Sequence, residues 1–408
     1  MTKRQEWQKS WLLPLIGLLG ISGPAAMVYS SGVFMVEITE EFGWSRAQFS
    51  SALTIQMLLG LGLGPLAGRL LDRVGPRRMV MVGILPFAFA LGLFGLSNGE
   101  MWQWWLLAAF YALSTLGVIP AAWVMATMVS FRASRGLALS VVLAGIGLAT
   151  ALWPMIAAQL SASIGWRLAF PVMAAGWALI VFPLALFFFK PPLPDAAEKS
   201  SLPLPPVGPI FRTREFWCLL GAGGLFASVQ LALIIHLVPI VREAGLDLST
   251  AASLAGLAGV CSIIGRVGTG LLLDWVPTRL LALVAFSLPL LVMAIFNMDA
   301  ASLPMLVAAA AMLGIAAGAE TDIVTYLATR KFDQRVFGTV YSIFQTGFAI
   351  CASMGPLLAG RIFDVSGSYS NYYLFAVPLV LLSTLLIMLV PTESNEASPE
   401  LGTRVSDV

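Results

Sequence analysis

Arg266, Glu320 and Asp322 lie inside long apolar runs, and residues 303–319, just before the two acids, carry no charge at all. A charged side chain near the centre of a bilayer costs about 2.5–3.5 kcal/mol on insertion scales, so those retained pair with one another or face a water-filled path. A guanidinium holds a carboxylate through two parallel hydrogen bonds. A poorly hydrated carboxyl group can take up and release a proton. Together the three residues point to binding of an anion and carriage of a proton.

Depth and helical phase assign them provisional roles. Helices expected to begin near Ser249 and Leu303 place Arg266 and Glu320 equally far in, roughly 25 Å at helical rise. This predicts an ion pair between them. Residues two apart on a helix diverge by about 200°, so Glu320 and Asp322 occupy different faces. Asp322 shares a small, polar stripe with Gly318, Thr325, Tyr326 and Thr329, suited to a water-filled path. Glu320 shares an apolar stripe with Leu313, Ala316, Ile323, Val324 and Leu327, suited to helix packing. His236, the only histidine, is a further candidate proton carrier because imidazole titrates near neutral pH. Tyr29, Ser30 and Ser31 offer hydroxyls to a carboxylate from the first helix.

These positions require a membrane scaffold. Of 408 residues, 59% are hydrophobic and only 11% charged, with a mean hydropathy of +0.89; soluble domains carry roughly 25% charged residues. The net charge of +2 and the dispersed basic residues exclude a nucleic-acid partner. Cys218, Cys261 and Cys351 lie far apart in apolar segments and read as packing residues. There is no phosphate loop, no metal-ligand spacing and no nucleophile beside the lone histidine, so neither an enzyme nor a cofactor is expected. Ion gradients remain as the energy source.

Apolar runs of the length needed to cross a bilayer are expected at 12–34, 47–71, 79–97, 102–127, 136–160, 168–189, 216–240, 249–273, 280–296, 303–329, 337–362 and 371–390. The first follows Lys3, Arg4 and Lys9 but is too long for a secretory signal and is read as a mature helix. Placing both termini in the cytoplasm puts most Lys and Arg on that side, with only Arg46, Arg167, Arg242 and Arg361 near the outer side. The Pro-rich stretch 191–215 reads as a cytoplasmic linker between bundles at 1–190 and 216–408. An offset of 202 residues aligns Gly43 with Gly245, Asp72 with Asp274, Gly145 with Gly347, Pro154 with Pro356 and Gly165 with Gly367. Two pseudo-symmetric six-helix bundles are therefore expected, an all-α integral membrane protein built from parallel repeats. Glu320 and Asp322 align with Val118 and Pro120, so the acids belong to the second half alone.

The loop "GPLAGRLLDRVGPRR" (Gly64 to Arg78), echoed by "GRVGTGLLLD" (Gly265 to Asp274), resembles the signature of the major facilitator superfamily. The resemblance implies that Asp72, Arg73, Arg77 and Asp274 make contacts that change between conformations. "FRASRGLALSVVLAGIGL" (Phe131 to Leu148), "HLVP" (His236 to Pro239), "GAETD" (Gly318 to Asp322) and "FGTVYSIFQTG" (Phe337 to Gly347) are similar to the bacterial monocarboxylate and oxalate–formate transporter-like branch. That branch moves small organic anions, often with protons, and implies that Arg266 is the anion-binding arginine. Ser262 stands where the branch often has Asp or Asn. The resulting expectation is a monomeric, proton-coupled symporter of a small organic anion in a bacterial inner membrane. The alternative is a proton-coupled antiporter exporting a drug or metabolite, in which the acids would bind the cargo.

Overall fold

The computed structural model describes residues 3–131, 134–189, 209–273, 275–298, 301–332 and 337–391, without the side chains at 3, 72, 135, 136, 337–339 and 342. Twelve long apolar helices are found among the described residues. They are α1 (Leu12–Phe42), α2 (Arg46–Leu71), α3 (Pro76–Leu96), α4 (Met101–Ser130), α5 (Leu137–Ile164) and α6 (Trp166–Phe188), followed by α7 (Arg214–Glu243), α8 (Leu248–Leu272), α9 (Thr278–Phe296), α10 (Leu303–Lys331), α11 (Ile343–Ser366) and α12 (Ser370–Met388). A short helix, Lys3–Ser10, precedes them. Most of the expected linker, residues 191–208, lies outside the described residues, as does the tail from 392.

The repeat is visible in the backbone. Gly43 and Gly245 adopt φ of 65° and 88°, and Gly165 and Gly367 adopt 79° and 69°. Only glycine takes such angles without strain, which is why it ends helices. Ser45 and Asp247, again 202 apart, are the N-caps of α2 and α8. A Cβ on Gly145 would overlap the Leu18 carbonyl, and one on Gly347 would lie 2.5 Å from Leu220 Cδ1. The partners, Leu18 and Leu220, are themselves 202 apart. The same helix contact is made twice, α5 on α1 and α11 on α7.

Boundaries differ from the hydropathy reading where turn chemistry decides them. The first helix continues to Phe42, because Gly43 supplies the stop, and it is interrupted between Ser22 and Ala26, where Pro24 lacks an amide hydrogen. α4 passes through a 3-10 turn at Leu116–Val118 before Pro120. The equivalent stretch of α10, which bears Glu320 and Asp322, is continuous.

The halves meet mainly through α5 with α8, α2 with α11, and α1 with α7. Cβ atoms on Gly256 and Gly259 would run into the backbone of α5 at Ala151, one on Gly147 would overlap Ile263, and one on Gly360 would lie 2.7 Å from the Ala47 nitrogen. Thr54 Oγ1 donates to the Ser353 carbonyl at 2.7 Å. Apart from the Gly147–Ile263 approach, which lies past the midpoint of α8, these contacts fall towards the end where α2 and α8 begin. Towards the other end Leu66, Leu70, Val267 and Leu271 are exposed, and Gly60, Gly62, Gly64 and Gly68 of α2 have no neighbour within 4 Å among the described residues. Among the described residues the halves are closed against each other at one end, and at the other their facing surfaces are exposed.

Candidate functional site

Arg266 sits one turn beyond Ile263, at the floor of the opening. It is positioned by a ladder of close approaches between α8 and α10. Cβ atoms on Gly314 and Gly318 would overlap the carbonyls of Ala258 and Ser262 respectively, and one on Gly318 would also lie 2.6 Å from the Arg266 nitrogen. Residues 314, 318 and 322 are each one helical turn apart, as are 258, 262 and 266. Asp322 is therefore the next rung after Gly318, on the face of α10 that meets Arg266. Small residues at successive turns are what let two membrane helices pack this closely.

The expected Arg266–Glu320 ion pair is not formed among the described residues; the ion pairs there are Arg46–Glu243 and Arg167–Glu41. Phase is the reason. With Gly318 against α8, position 320 lies about 200° round the helix and points away from it. Glu320 is only 7% exposed, and its stripe neighbours Leu313, Ala316, Ile323, Val324 and Leu327 are all buried. Its Oε2 accepts from Thr321 Oγ1 at 3.1 Å, and its Oε1 has no hydrogen-bond partner among the described residues. Asp322 and Arg266 are half-buried, so water reaches both. The charge of Arg266 acts on Tyr29, Glu320, Asp322 and Tyr341 alike.

Tyr29 and Tyr341 lie within electrostatic reach of Arg266. Tyr29 of α1 lies near Thr150 of α5, whose Oγ1 donates to the Ile146 carbonyl at 2.9 Å. Tyr341, just before α11, lies near Thr325 of α10, whose Oγ1 donates to the Thr321 carbonyl at 2.6 Å. Tyr341, Thr150 and Thr325 were not among the site residues expected from sequence. Their signal was Tyr341's place in "FGTVYSIFQTG" and Thr325's place on the Asp322 stripe.

The remaining candidates make no hydrogen bond or ion pair with the Arg266 guanidinium among the described residues. Ser31 Oγ donates to the Val28 carbonyl at 2.6 Å within its own helix. Ser30 is fully buried, with its hydroxyl unpartnered among the described residues. Ser262 Oγ donates to the Gly259 carbonyl at 2.7 Å. His236 is 1% exposed and stands at the closed end of the molecule, away from Arg266. Arg77 donates to the Leu186 carbonyl of α6 at 3.1 Å, a contact within its own half, and Arg73 is exposed. Asp274 and the side chain of Asp72 lie outside the described residues. Cys218 and Cys261 are buried as expected of packing residues, whereas Cys351 is exposed.

The sequence model described as "Major Facilitator Superfamily" matches residues 18–296 and 278–405. Among curated relatives, agnestins efflux protein AgnL12 of Paecilomyces divaricatus is 27% identical, covering 88% of this chain and 82% of its own. Monocarboxylate transporter 13 of Rattus norvegicus is 25% identical, covering 93% and 89%. Multidrug resistance protein MdtG of Dickeya zeae is 28% identical, covering 82% and 80%. Among solved structures, a bacterial homolog of the human lysosomal transporter Spinster, in an inward-facing and unoccupied conformation, superposes with a TM-score of 0.73 at 18% identity, covering 96% of this chain and 98% of that one.

Proposed function

The chain belongs to the Major Facilitator Superfamily, and within that family we propose that it is a proton-coupled symporter taking up a small organic anion of the monocarboxylate class. One observation carries this reading. Arg266 stands at the floor of the opening with no ion pair among the described residues, within electrostatic reach of Tyr29 and Tyr341 and one rung from Asp322.

The chemistry follows from charge balance. An ionised Asp322 competes with an incoming carboxylate for the Arg266 guanidinium. Protonation of Asp322 leaves Arg266 free to bind the substrate through two parallel hydrogen bonds. Tyr29 and Tyr341 can offer their hydroxyl hydrogens to the carboxylate. Proton and anion then enter together, and release of the proton on the other side expels the anion. Glu320, buried and with one oxygen unpartnered, is the second candidate for the proton.

The bias of Lys and Arg supports cytoplasmic termini, so the open end faces the cytoplasm, in a bacterial inner membrane. A single chain of two bundles, 1–190 and 216–408, joined through 191–215, is the working unit.

The test is uptake of a labelled monocarboxylate into proteoliposomes. An inward proton gradient is expected to drive accumulation. Equal uptake after the gradient is collapsed at constant voltage would point to uniport or anion exchange. The names of AgnL12, an efflux protein, and MdtG, a multidrug resistance protein, favour a second reading, proton-driven export, in which Asp322 and Glu320 bind the cargo. A cationic dye that competes for uptake where carboxylates do not would select it.

A further inference from the structure

The closed end holds a second cluster of ionisable groups that the central site does not use. Arg46, at the start of α2, reaches across to the other half. Its Nη2 pairs with Glu243 Oε1 at 2.6 Å, its Nη1 donates to the Tyr369 hydroxyl at 2.5 Å, and its guanidinium lies 3.6 Å from the centroid of the Phe363 ring. Asp364 accepts from the backbone N–H groups of Arg46 and Ala47, both at 2.9 Å, which places a carboxylate on the N-terminus of α2. Behind Tyr369 lies His236, with Nδ1 2.6 Å from the phenol oxygen and Nε2 3.0 Å from the Pro356 carbonyl.

The repeat shows how this cluster came to bridge the halves. Glu41 and Glu243 are 202 residues apart, as are Arg167 and Tyr369. In the first half Glu41 pairs with Arg167 of its own bundle. In the second half a tyrosine replaces the arginine, and the cation that satisfies both Glu243 and Tyr369 is Arg46 of the opposite bundle.

The hydrogen bonds run in one direction only. A carbonyl can only accept, so Nε2 of His236 carries a hydrogen. Arginine can only donate, so the Tyr369 oxygen accepts from Arg46. In neutral imidazole Nδ1 is then an acceptor, and Tyr369 donates to it. The chain reads Arg46 to Tyr369 to His236 to Pro356, with every member satisfied.

We propose that His236 is a proton-binding site that controls this latch: a proton taken from water at Nδ1 reverses the Tyr369 bond and releases Arg46, opening the closed end. With both ring nitrogens protonated, His236 becomes a donor at each. The Tyr369 oxygen then faces two cationic donors, and its own hydrogen must leave the line between the rings inside a site where Tyr369 is only 3% exposed. Arg46 keeps Glu243, whose side chain is 40% exposed and correspondingly screened.

The groups around His236 are Arg46 from α2 and Asp364 from α11 and Tyr369 at the start of α12, with Tyr373 stacked beyond Tyr369 and Glu243 further along α7 itself. α1 meets α7 through Gly32 at Ile235, and its Glu37 is engaged by Ser161. From α8, Asp247 is engaged by Ser249 and Thr250; α10 carries no charge over this part of its length.

The experiment needs no substrate, so its outcome is separable from that of the transport assay. Spin labels at Ala162→Cys and Ala244→Cys, both exposed on opposite halves of the closed end, are placed in a background lacking the native cysteines, and their separation is measured in lipid nanodiscs from about pH 8 to about pH 3.5, a range that covers both free and buried imidazoles. The wild type is expected to gain a longer distance as the pH falls. His236→Gln retains one acceptor and one donor but cannot titrate, and should hold the short distance throughout. Tyr369→Phe removes the bridge and should also lose the pH response. An invariant wild-type distance overturns the proposal, and so does either variant responding as the wild type does.

Discussion

Gly318 backs onto the main chain at Arg266, where a side chain would come within 2.6 Å of the Arg266 nitrogen. This contact, more than any charge interaction, sets where the guanidinium and the Asp322 carboxyl stand relative to one another.

Gly318→Leu should therefore force α8 and α10 apart, at a cost of about 1–3 kcal/mol or more. Thermal melting in detergent is the measurement. Gly176→Leu, at an exposed position where a Cβ meets nothing within 4 Å among the described residues, is the matched control and should not melt below the wild type. Equal melting of both variants would mean that the ladder does not hold the site.

The two acids should separate by function. Asp322→Asn mimics the protonated state but cannot cycle, so exchange of substrate should persist while proton-driven accumulation is lost. Glu320→Gln, on the buried stripe, should chiefly alter stability or expression. Accumulation that survives Asp322→Asn but fails in well-folded Glu320→Gln would reverse the assignment.

Arg266→Lys conserves charge but not the planar two-point contact, and a weakening of substrate binding of roughly tenfold, about 1.4 kcal/mol, is expected from competition uptake. Arg266→Ala should abolish anion transport. A folded Arg266→Ala/Glu320→Gln protein that still concentrates an organic anion would refute the binding role.

Asp247 lies between α7 and α8. Hydrogen bonds from the Thr250 hydroxyl, the Thr250 N–H and the Ser249 N–H hold its carboxyl below the usual carboxylate range. The unfolded chain thus takes up this proton at a higher pH than the folded one. The cap's contribution is complete above the ordinary carboxylate range and is lost as the pH falls through the lowered native value. Asp247→Asn should remove that part of the acid-side decline in melting temperature; a variant whose melting temperature falls with acid as steeply as the wild type's would count against the cap.

The scaffold was legible because its signals are local. Hydropathy marked the spans, and the paired glycines at 43 and 245, and at 165 and 367, marked the turns that only a positive φ allows. The site was less so. Equal depth suggested an Arg266–Glu320 pair, whereas the phase imposed by Gly314 and Gly318 brings Asp322 to that side. Ser31 looked like a ligand group, yet a helical serine can satisfy its hydroxyl on its own backbone, as Ser31 does. The Arg46 latch was illegible because its parts come from residues about 200 to 320 positions apart, and nothing in their immediate neighbourhoods announces the meeting.

Gly60, Gly62, Gly64 and Gly68 of α2, and Gly268 and Gly270 of α8, terminate nothing, and a Cβ on any of them would meet nothing within 4 Å among the described residues. Glycine within a helix costs about 0.5–1 kcal/mol relative to alanine, so an unused row of them is a standing loss for the shape seen here. A conformation closed at this end would bring these bare faces together, as Gly256, Gly259 and Gly360 are used at the other end now, engaging one set of glycines and idling the other.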